Sequence, residues 1–393
     1  MRVLALQSGT SADGIDAALV TVEPSPDGLE LEIERWGTEP WLPDERDLVR
    51  RAVHGDRLDP AAWCALETMV GQAFARAAVR FADGADTVDV VCAHGQTVFH
   101  GVEAGVVWGT LQVGEPAWIA RATGLPVVFN LRVADVAAGG MGAPLITAFD
   151  ERWLAASAES AGAPVASLNL GGIANVQVVH PDGRAAGFDT GPANALLDAW
   201  ISRATDGAEA FDRDGAHARA GRVDGELLGS LRAHPYFALP APKTTGRETF
   251  TIRTVDDALD GRDLPLADIC ATLLELTATT VADALADAAP ARVVVSGGGA
   301  RNPVLMARLT EHLGLPVEPS DAWGIPADAR EAVMFALLAY LSATRVPLVL
   351  PGTPAGHAAV AGQWDLSAAP LPTVPAASPQ PHRLRVRTRE ERS

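Results

Sequence analysis

Twice in this chain an apolar strand runs into a glycine-rich turn and out into a second apolar strand. This repeated opening limits what the remainder can fold into. The first copy is Val3 to Leu6, the turn Ser8 to Gly14, and Ile15 to Val22; the second is VASLNLGGIANVQVV at residues 165–179. The two share a plan rather than a sequence. Hairpins placed so far apart read as the starts of two related halves, each a small mixed sheet flanked by helices. Length agrees, because 393 residues exceed what a single core normally fills. The expected boundaries are 1–140, 141–366 and 367–393, with the last helix of the second segment able to pack back on the first lobe. The third segment is Pro-rich, ends in HRLRVRTREERS and reads as a flexible tail.

Between these landmarks the pattern is that of an α/β protein. Trp63, Leu66, Val70, Phe74 and Ala77 recur at helical spacing over 60–82, followed by the apolar strand Val88 to Ala93. Residues 115–123 read as helix and Val127 to Asn130 as strand. The clearest helix spans 266–289, where Leu266, Ile269, Cys270, Leu273, Leu274, Thr277, Val281 and Leu285 line one face. After the strand Val293 to Ser296, Asn302 suits an N-cap and Pro303 the first helical position. Residues 331–341 are again helical.

Composition narrows the partners. Acidic residues outnumber basic ones 49 to 31, a net charge of −18, and such a surface repels phosphate backbones, so nucleic acid is not an expected partner. Cys64, Cys92 and Cys270 form neither a disulfide framework nor a zinc spacing. No apolar run approaches the about 18 residues of a membrane span, and the N-terminus lacks a signal-peptide pattern. A cytoplasmic setting is expected.

Four segments carry residues suited to chemistry. In SGTSADGID, Gly9 and Gly14 permit backbone N–H groups to face an anion, Thr10 and Ser11 add hydroxyls, and Asp13 and Asp16 offer hard oxygens to Mg²⁺. The same residues suit a plain hairpin turn, and the segment is not a Walker A loop. LNLGGIAN, with Asn169, Gly171, Gly172 and Asn175, reads as a second phosphate-gripping turn or as an ordinary tight one. GFDTGPAN holds Asp189 beside Thr190-Gly191-Pro192, either as a general base on a rigid corner or as an Asx-turn. VVVSGGGARNP brings a strand into Gly297, Gly298 and Gly299 before a helix, a platform for a purine or ribose. It lacks the GxGxxG spacing and the later acidic residue of a dinucleotide site. His94-Gly95-Gln96-Thr97, Arg132 with Asp135, and KTTGRE at 243–248 mix glycine with hydrogen-bonding side chains, as sugar sites and solvated loops both do. His94 has no His or Cys at metal spacing, which removes a zinc reading.

The order of the segments is more specific than any one of them. SGTSADGID, AHGQTVFH, TLQVGEPAWIA, AAGGMGAPL, LNLGGIANV, GFDTGPANALLDAW, KTTGRE, SGGGARNP and GIPADAREAVMFA follow one another from residue 8 to residue 336. Together they resemble the anhydro-N-acetylmuramic acid kinase family. The resemblance implies a two-lobed fold of the sugar kinase–Hsp70–actin class (a duplicated ribonuclease H-like α/β fold) with ATP in the interdomain cleft. It implies an enzyme that opens the 1,6-anhydro bridge of 1,6-anhydro-N-acetylmuramic acid with water and phosphorylates O6, in peptidoglycan recycling. It further implies ATP contacts at Gly9, Thr10, Ser11, Ala12, Asp13, Gly14, Ile15, Asp16, Asn169, Gly171, Gly172, Gly297, Gly298, Gly299 and Asn302. Asp189 is implied as the base and sugar contact, Asp13 and Glu331 as Mg²⁺ carboxylates, and Gln96, Thr97, Arg132 and Asp135 as sugar contacts, with Arg132 facing the lactyl carboxylate. A homodimer is a common state of the family.

Two positions depart from the family pattern. Asn130-Leu131-Arg132 stands where Asp-Phe-Arg is usual, and Asp150 where His is usual. An Asn-x-Arg version is similar to levoglucosan kinases, which open the same bridge in a sugar without lactyl and acetamido groups. The alternatives are therefore a levoglucosan-type kinase or a non-catalytic ATP-binding member of the fold.

Overall fold

The computed structural model describes residues 1–9, 12–84, 87–103, 106–246, 249–350, 353, 356–374 and 381–388. Its strands, in chain order, are β1 (Arg2–Ser8), β2 (Ile15–Ser25), β3 (Gly28–Glu39), β4 (Val90–Glu103), β5 (Val106–Val113), β6 (Val127–Phe129), β7 (Val165–Leu170), β8 (Ile173–Val179), β9 (Ala185–Pro192), β10 (Arg292–Ser296), β11 (Val317–Pro319), β12 (Gln363–Asp365) and β13 (Leu384–Thr388). The described residues divide into two compact units. One comprises Met1–Trp153 with Asp328–Ser393, the other Leu154–Ala327.

The first unit is built on a sheet ordered β12-β6-β4-β1-β2-β3-β13, with β5 paired to β4. β1 runs antiparallel to β2 and parallel to β4, β2 is antiparallel to β3, and β4 is parallel to β6. Val3 to Leu6 are all fully buried, as a central strand covered on both faces requires. Leu4 and Leu6 pack with Leu66, Val70 and Phe74 of the helix Pro60–Ala82. That helix begins where Asp59 accepts from Ala62 N and Pro60 takes the first position. The helix Arg330–Ala343 packs on β1 and β2, with Val333 to Leu341 buried.

The second unit repeats this plan with different residues. Its sheet is ordered β9-β8-β7-β10-β11: β7 antiparallel to β8, β8 to β9, and β7 parallel to β10, β10 to β11. Strands 9-8-7-10-11 thus correspond one for one to 3-2-1-4-6 of the first unit. This repeated topology is the duplication that the two hairpin openings announced. The helix Leu266–Leu285 has Ile269 through Val281 buried, so the fold covers more of it than the one apolar face, including Glu275 and four threonines.

Two expectations change. Residues 141–153 and the segment from Asp328 onward group with the first unit, whereas the sequence set the boundary at 140/141 and left only the last helix free to pack back on the first lobe; β1 and β2 need a second apolar cover, and Arg330–Ala343 supplies it. The tail is not flexible throughout. Leu384–Thr388 adds to β3 as a parallel strand, with Leu384 buried and Arg387 bonded to Glu30 at 2.7 Å. LRVRT alternates apolar and basic residues, and LELEI of β3 alternates apolar and acidic ones. The two edges therefore match in burial and in charge. No helix among the described residues is long and apolar enough to cross a membrane.

Candidate functional site

In both units the candidate residues gather at the carboxyl ends of the parallel strands, where open α/β sheets bind ligands. In the first unit these are the ends of β1, β4 and β6. The β1–β2 turn is held by Ser8 Oγ donating to Gly14 O at 2.7 Å and by Ala12 N donating to Gly9 O at 3.1 Å. Thr10 and Ser11 lie outside the described residues. Gln96 is fully buried, and its Nε2 donates to Gly9 O and Thr97 O, both at 2.8 Å. It braces the loop, and its donors are not directed at a sugar.

Asp16 follows the turn and accepts from Gln7 Nε2 at 2.8 Å and Thr38 Oγ1 at 2.7 Å. Burial pushes its carboxyl up to about 6, against these two bonds and with the charges of Glu331 and Asp13 adding to the rise. Glu331 opens the helix Arg330–Ala343. It keeps accessible surface but is crowded by protein. Desolvation raises its carboxyl, and Arg132 and Arg330 oppose the rise. Among the described residues no three His, Cys or carboxylate side chains form a metal cage. The carboxylates of Asp13, Asp16 and Glu331 offer hard oxygens of the kind that suits Mg²⁺, which keeps waters and phosphate oxygens as its other ligands, and the charges of Glu331 and Asp13 both act on Asp16.

Beside them a bulge interrupts β4. Leu6 pairs with Ala93 and Ser8 with Gln96, so His94 and Gly95 span one step of β1. Gly95 has φ +79°, and a Cβ there would stand 2.6 Å from Val113 O; only glycine fits. The bulge leaves His94 3% exposed and stacked on Phe335 with ring centroids 4.3 Å apart. Arg132 Nε donates to His94 Nε2 at 3.2 Å, and its Nη1 to Gly142 O at 2.9 Å. Arg132 Nη2 makes no protein hydrogen bond among the described residues. Desolvation pulls this guanidinium down to about 10, with Glu331 opposing, so it stays cationic at neutral pH. Thr97 Oγ1 lies 3.4 Å from His94 Nε2. Asp135 differs from the sugar contact expected of it. Its Oδ2 accepts from Gly142 N at 2.7 Å and its Oδ1 from Thr353 Oγ1 at 2.6 Å, so both oxygens already tie backbone and loop together.

At the two departures from the family pattern, Asn130 has φ +51° and donates to Gln363 Oε1 at 3.3 Å. Asp150, fully buried, pairs with Arg330, the neighbour of Glu331.

In the second unit the ends of β7, β9 and β10 meet. Asp189 lies beside a bulge in β9, where Ala174 pairs with Gly191 and Asn175 with Asp189. Its carboxylate is anchored through one oxygen. Thr244 Oγ1 and Thr245 N both donate to Oδ2 at 2.9 Å, while Oδ1 has no protein partner among the described residues. Burial pushes the Asp189 carboxyl up, and the donors from Thr245 and Thr244 hold it back. Tyr236 OH donates to the Asp189 carbonyl at 2.6 Å, fixing the backbone as well.

The β7–β8 turn is tied to the helix Asn194–Ala204. Gly172 O accepts from Ala193 N and Ala195 N, and Gly171 O from Asn194 N. At the end of β10, Gly297 has φ +80°, and a Cβ there would stand 2.7 Å from Asn169 Oδ1 and 2.8 Å from Leu170 O. By contrast, a Cβ at Gly171 would meet nothing nearer than 3.6 Å, and at Gly298 nothing nearer than 3.9 Å. Gly297 and Gly299 therefore pack the two turns together, while Gly171 and Gly298 present open backbone. Asn302 caps the helix Pro303–Leu313, its Oδ1 accepting from Val304 N and Leu305 N. That oxygen is committed to the cap.

Sequence reasoning passed over Thr244 and Thr245 as individual residues. The threonines stood within the noted segment KTTGRE, but their bond to Asp189 spans more than fifty positions and no local pattern announces it.

A duplicated β-hairpin-led sheet with glycine corners at its strand ends defines a protein of the sugar kinase–Hsp70–actin fold class. The sequence profile of the anhydro-N-acetylmuramic acid kinase family matches residues 1–364. The chain is 48% identical to an anhydro-N-acetylmuramic acid kinase of Streptomyces coelicolor over 400 aligned positions, covering 98% of this chain and 99% of that one. It is 43% identical to one from Rhodococcus erythropolis over the same shares, and 45% identical to one from Xanthomonas oryzae pv. oryzae, covering 86% and 89%. The chain belongs to the anhydro-N-acetylmuramic acid kinase family.

Proposed function

We propose that the protein couples hydrolytic opening of the 1,6-anhydro bridge of 1,6-anhydro-N-acetylmuramic acid to transfer of the γ-phosphoryl group of ATP onto the freed O6. The products are N-acetylmuramic acid 6-phosphate and ADP. Family membership across nearly the whole chain carries this reading, and it favours the amino sugar over levoglucosan.

Asp189 is the base. Water attacks C1 as its proton passes to Oδ1, while Oδ2 stays fixed by Thr244 and Thr245. A carboxylate held on one side and open on the other is suited to this work, which contributes about 10²–10⁴ in rate. The C1–O6 bond breaks as C1–OH forms, and O6 becomes the nucleophile toward the γ-phosphorus. Phosphoryl transfer asks mainly for alignment and charge stabilisation. The Gly9–Asp16 turn and the Gly171-Gly172 and Gly297–Gly299 corners supply backbone donors for the nucleotide, with the open faces at Gly171 and Gly298 its points of approach. Asp13, Asp16 and Glu331 would hold Mg²⁺, whose chemistry there is to neutralise charge on the phosphate oxygens. Arg132 Nη2 faces the lactyl carboxylate, since a guanidinium is its natural partner, and Thr97 takes a ring oxygen or hydroxyl. A cytoplasmic location and a homodimer complete the reading.

The test is ADP formation with ATP and Mg²⁺ in the presence and absence of the anhydro amino sugar, for wild type and Asp189→Asn. Sugar-dependent ADP release that drops about 10²–10⁴-fold in the variant supports the reading. Equal turnover by the two proteins removes Asp189 from the role of base.

A further inference from the structure

Of the 31 basic residues in the chain one alone is a lysine, Lys243, and the others are arginine. It stands in KTTGRE, immediately before the two threonines that hold Asp189. Its main chain reaches the same residue, since Asp189 N donates to Lys243 O at 2.9 Å. A second segment grips the same corner. Tyr236 OH donates to the Asp189 carbonyl at 2.6 Å, and a Cβ at Gly191 would stand 2.7 Å from Phe237 Cε1. Both rings belong to the one-turn helix Pro235–Ala238. Between the two segments, residues 239–242 are all exposed, and Pro240 and Pro242 have no N–H with which to fasten the chain. The Lys243 side chain makes the closure. Its Nζ donates to Tyr236 O at 3.2 Å and to Phe237 O at 3.3 Å, and it lies 4.7 Å from the centre of the Tyr236 ring. Partial burial draws this ammonium down from its usual range, with no carboxylate opposing among the described residues. Its donors, rather than an ion pair, are what the fold uses.

We propose that Lys243 is the positioning residue of the base: its ammonium ties the segment 243–245 to the turn at 236–237, and so keeps the Thr244 hydroxyl and the Thr245 N–H on Asp189 Oδ2 while Oδ1 stays open. The inference rests on the proposed role of Asp189 and deepens it. The choice of lysine supports it. At every other basic position this chain uses a guanidinium, a planar fork matched to carboxylates. Two carbonyls of consecutive residues and the face of a ring ask instead for donors that diverge from one compact centre. An ammonium has these and a guanidinium does not. A slack tether would act on the base twice. It withdraws donors that favour the ionised carboxylate, and it lets Oδ1 drift from the line of attack, where about 1 Å of misplacement can cost about 10²-fold in rate.

The test is the pH profile of kcat/KM for ADP release with ATP, Mg²⁺ and 1,6-anhydro-N-acetylmuramic acid. It compares wild type, Lys243→Met, Lys243→Arg, Thr244→Val and the double variant Lys243→Met/Thr244→Val. Both Lys243 variants should lower kcat about 10-fold on the plateau and move the acid limb to higher pH by about 0.5–1 unit. KM for ATP should stay within about twofold of wild type, which certifies the fold. In the double variant the limb should move no more than about 0.3 unit beyond the larger single shift, because both changes act through one bond. If Lys243→Met does not fold, Lys243→Arg carries the test with the same expected displacement. A limb that stays in place, a wild-type profile in Lys243→Arg, or shifts that add in the double variant overturns the positioning role, while sugar-dependent turnover by wild type leaves the kinase reading standing. No sugar-dependent ADP release by wild type, or undiminished turnover by Asp189→Asn, removes the reading on which the inference rests, and the inference with it.

Discussion

Replacing Thr244 by Val tests how the site sets its base. The exchange is nearly isosteric and removes one of the two donors to Asp189 Oδ2, a bond of 2.9 Å. A hydrogen bond to a charged group is worth about 1.5–3 kcal/mol when buried. Thr244 is exposed, so water replaces part of the loss, and about 0.7–1.4 kcal/mol remains. At 1.36 kcal/mol per pH unit this corresponds to about 0.5–1 unit. The direction follows from which form the donor favours. Burial pushes the Asp189 carboxyl up, and the Thr245 and Thr244 donors stabilise the ionised form; losing one raises it further. In its proposed role as base Asp189 works ionised, so the acid limb of kcat/KM should move to higher pH by about 0.5–1 unit. Rates below the limb should fall about 3–10-fold, and rates well above it should hardly change. Initial rates of ADP release from about pH 5 to about pH 9 read this directly. A limb that stays in place, moves to lower pH, or gives way to a uniform loss at every pH would refute the assignment of Thr244 as the partner that tunes the base.

The other predictions concern packing and charge. Gly171→Ala should leave the melting temperature within about 1 °C, because the new methyl meets nothing nearer than 3.6 Å, while raising KM for ATP; Gly297→Ala, with φ +80° and contacts of 2.7 and 2.8 Å, should cost about 1–3 kcal/mol in a denaturant titration. Asp16 has a folded value of about 6 against 3.8, so the folded state binds more protons and wild-type stability falls as pH rises from about 4 to about 6. Without nucleotide, Asp16→Asn should therefore match wild type below about pH 4 and exceed it above about pH 6, by about 1–2 kcal/mol after discounting for partial exposure, while losing kinase activity. Asp150→Ala removes the buried carboxylate that pairs with Arg330 and should cost about 3–5 kcal/mol, seen as a shift of the urea midpoint.

Local chemistry made several elements legible. Asn302 before Pro303 marked a helix start, and the structure uses Asn302 Oδ1 as the cap. The apolar face from Leu266 to Leu285 became a buried helix. What periodicity could not reveal was the destination of side chains whose partners are distant. Asp135 read as a sugar contact because a carboxylate near Arg132 and glycines suits hydroxyls; the fold spends both oxygens on Gly142 and Thr353, the latter more than two hundred positions away. Gln96 read as a sugar contact and proves to brace Gly9. The Arg-rich end read as a loose tail because its complement, the acidic alternation of β3, lies over three hundred residues earlier.

The sequence by itself determined two mixed sheets opened by hairpins, the glycine corners that end their strands, the family, and Asp189 as the carboxylate set on a corner. These are written in short stretches, where propensity, alternation and turn chemistry act within a few residues. Only the tertiary structure decided that Thr244 and Thr245 hold one oxygen of Asp189, that a β4 bulge buries His94 against Phe335, and that Arg132 donates to that ring. Each of these depends on through-space distance between segments remote in the chain, a quantity that spacing along the sequence does not carry.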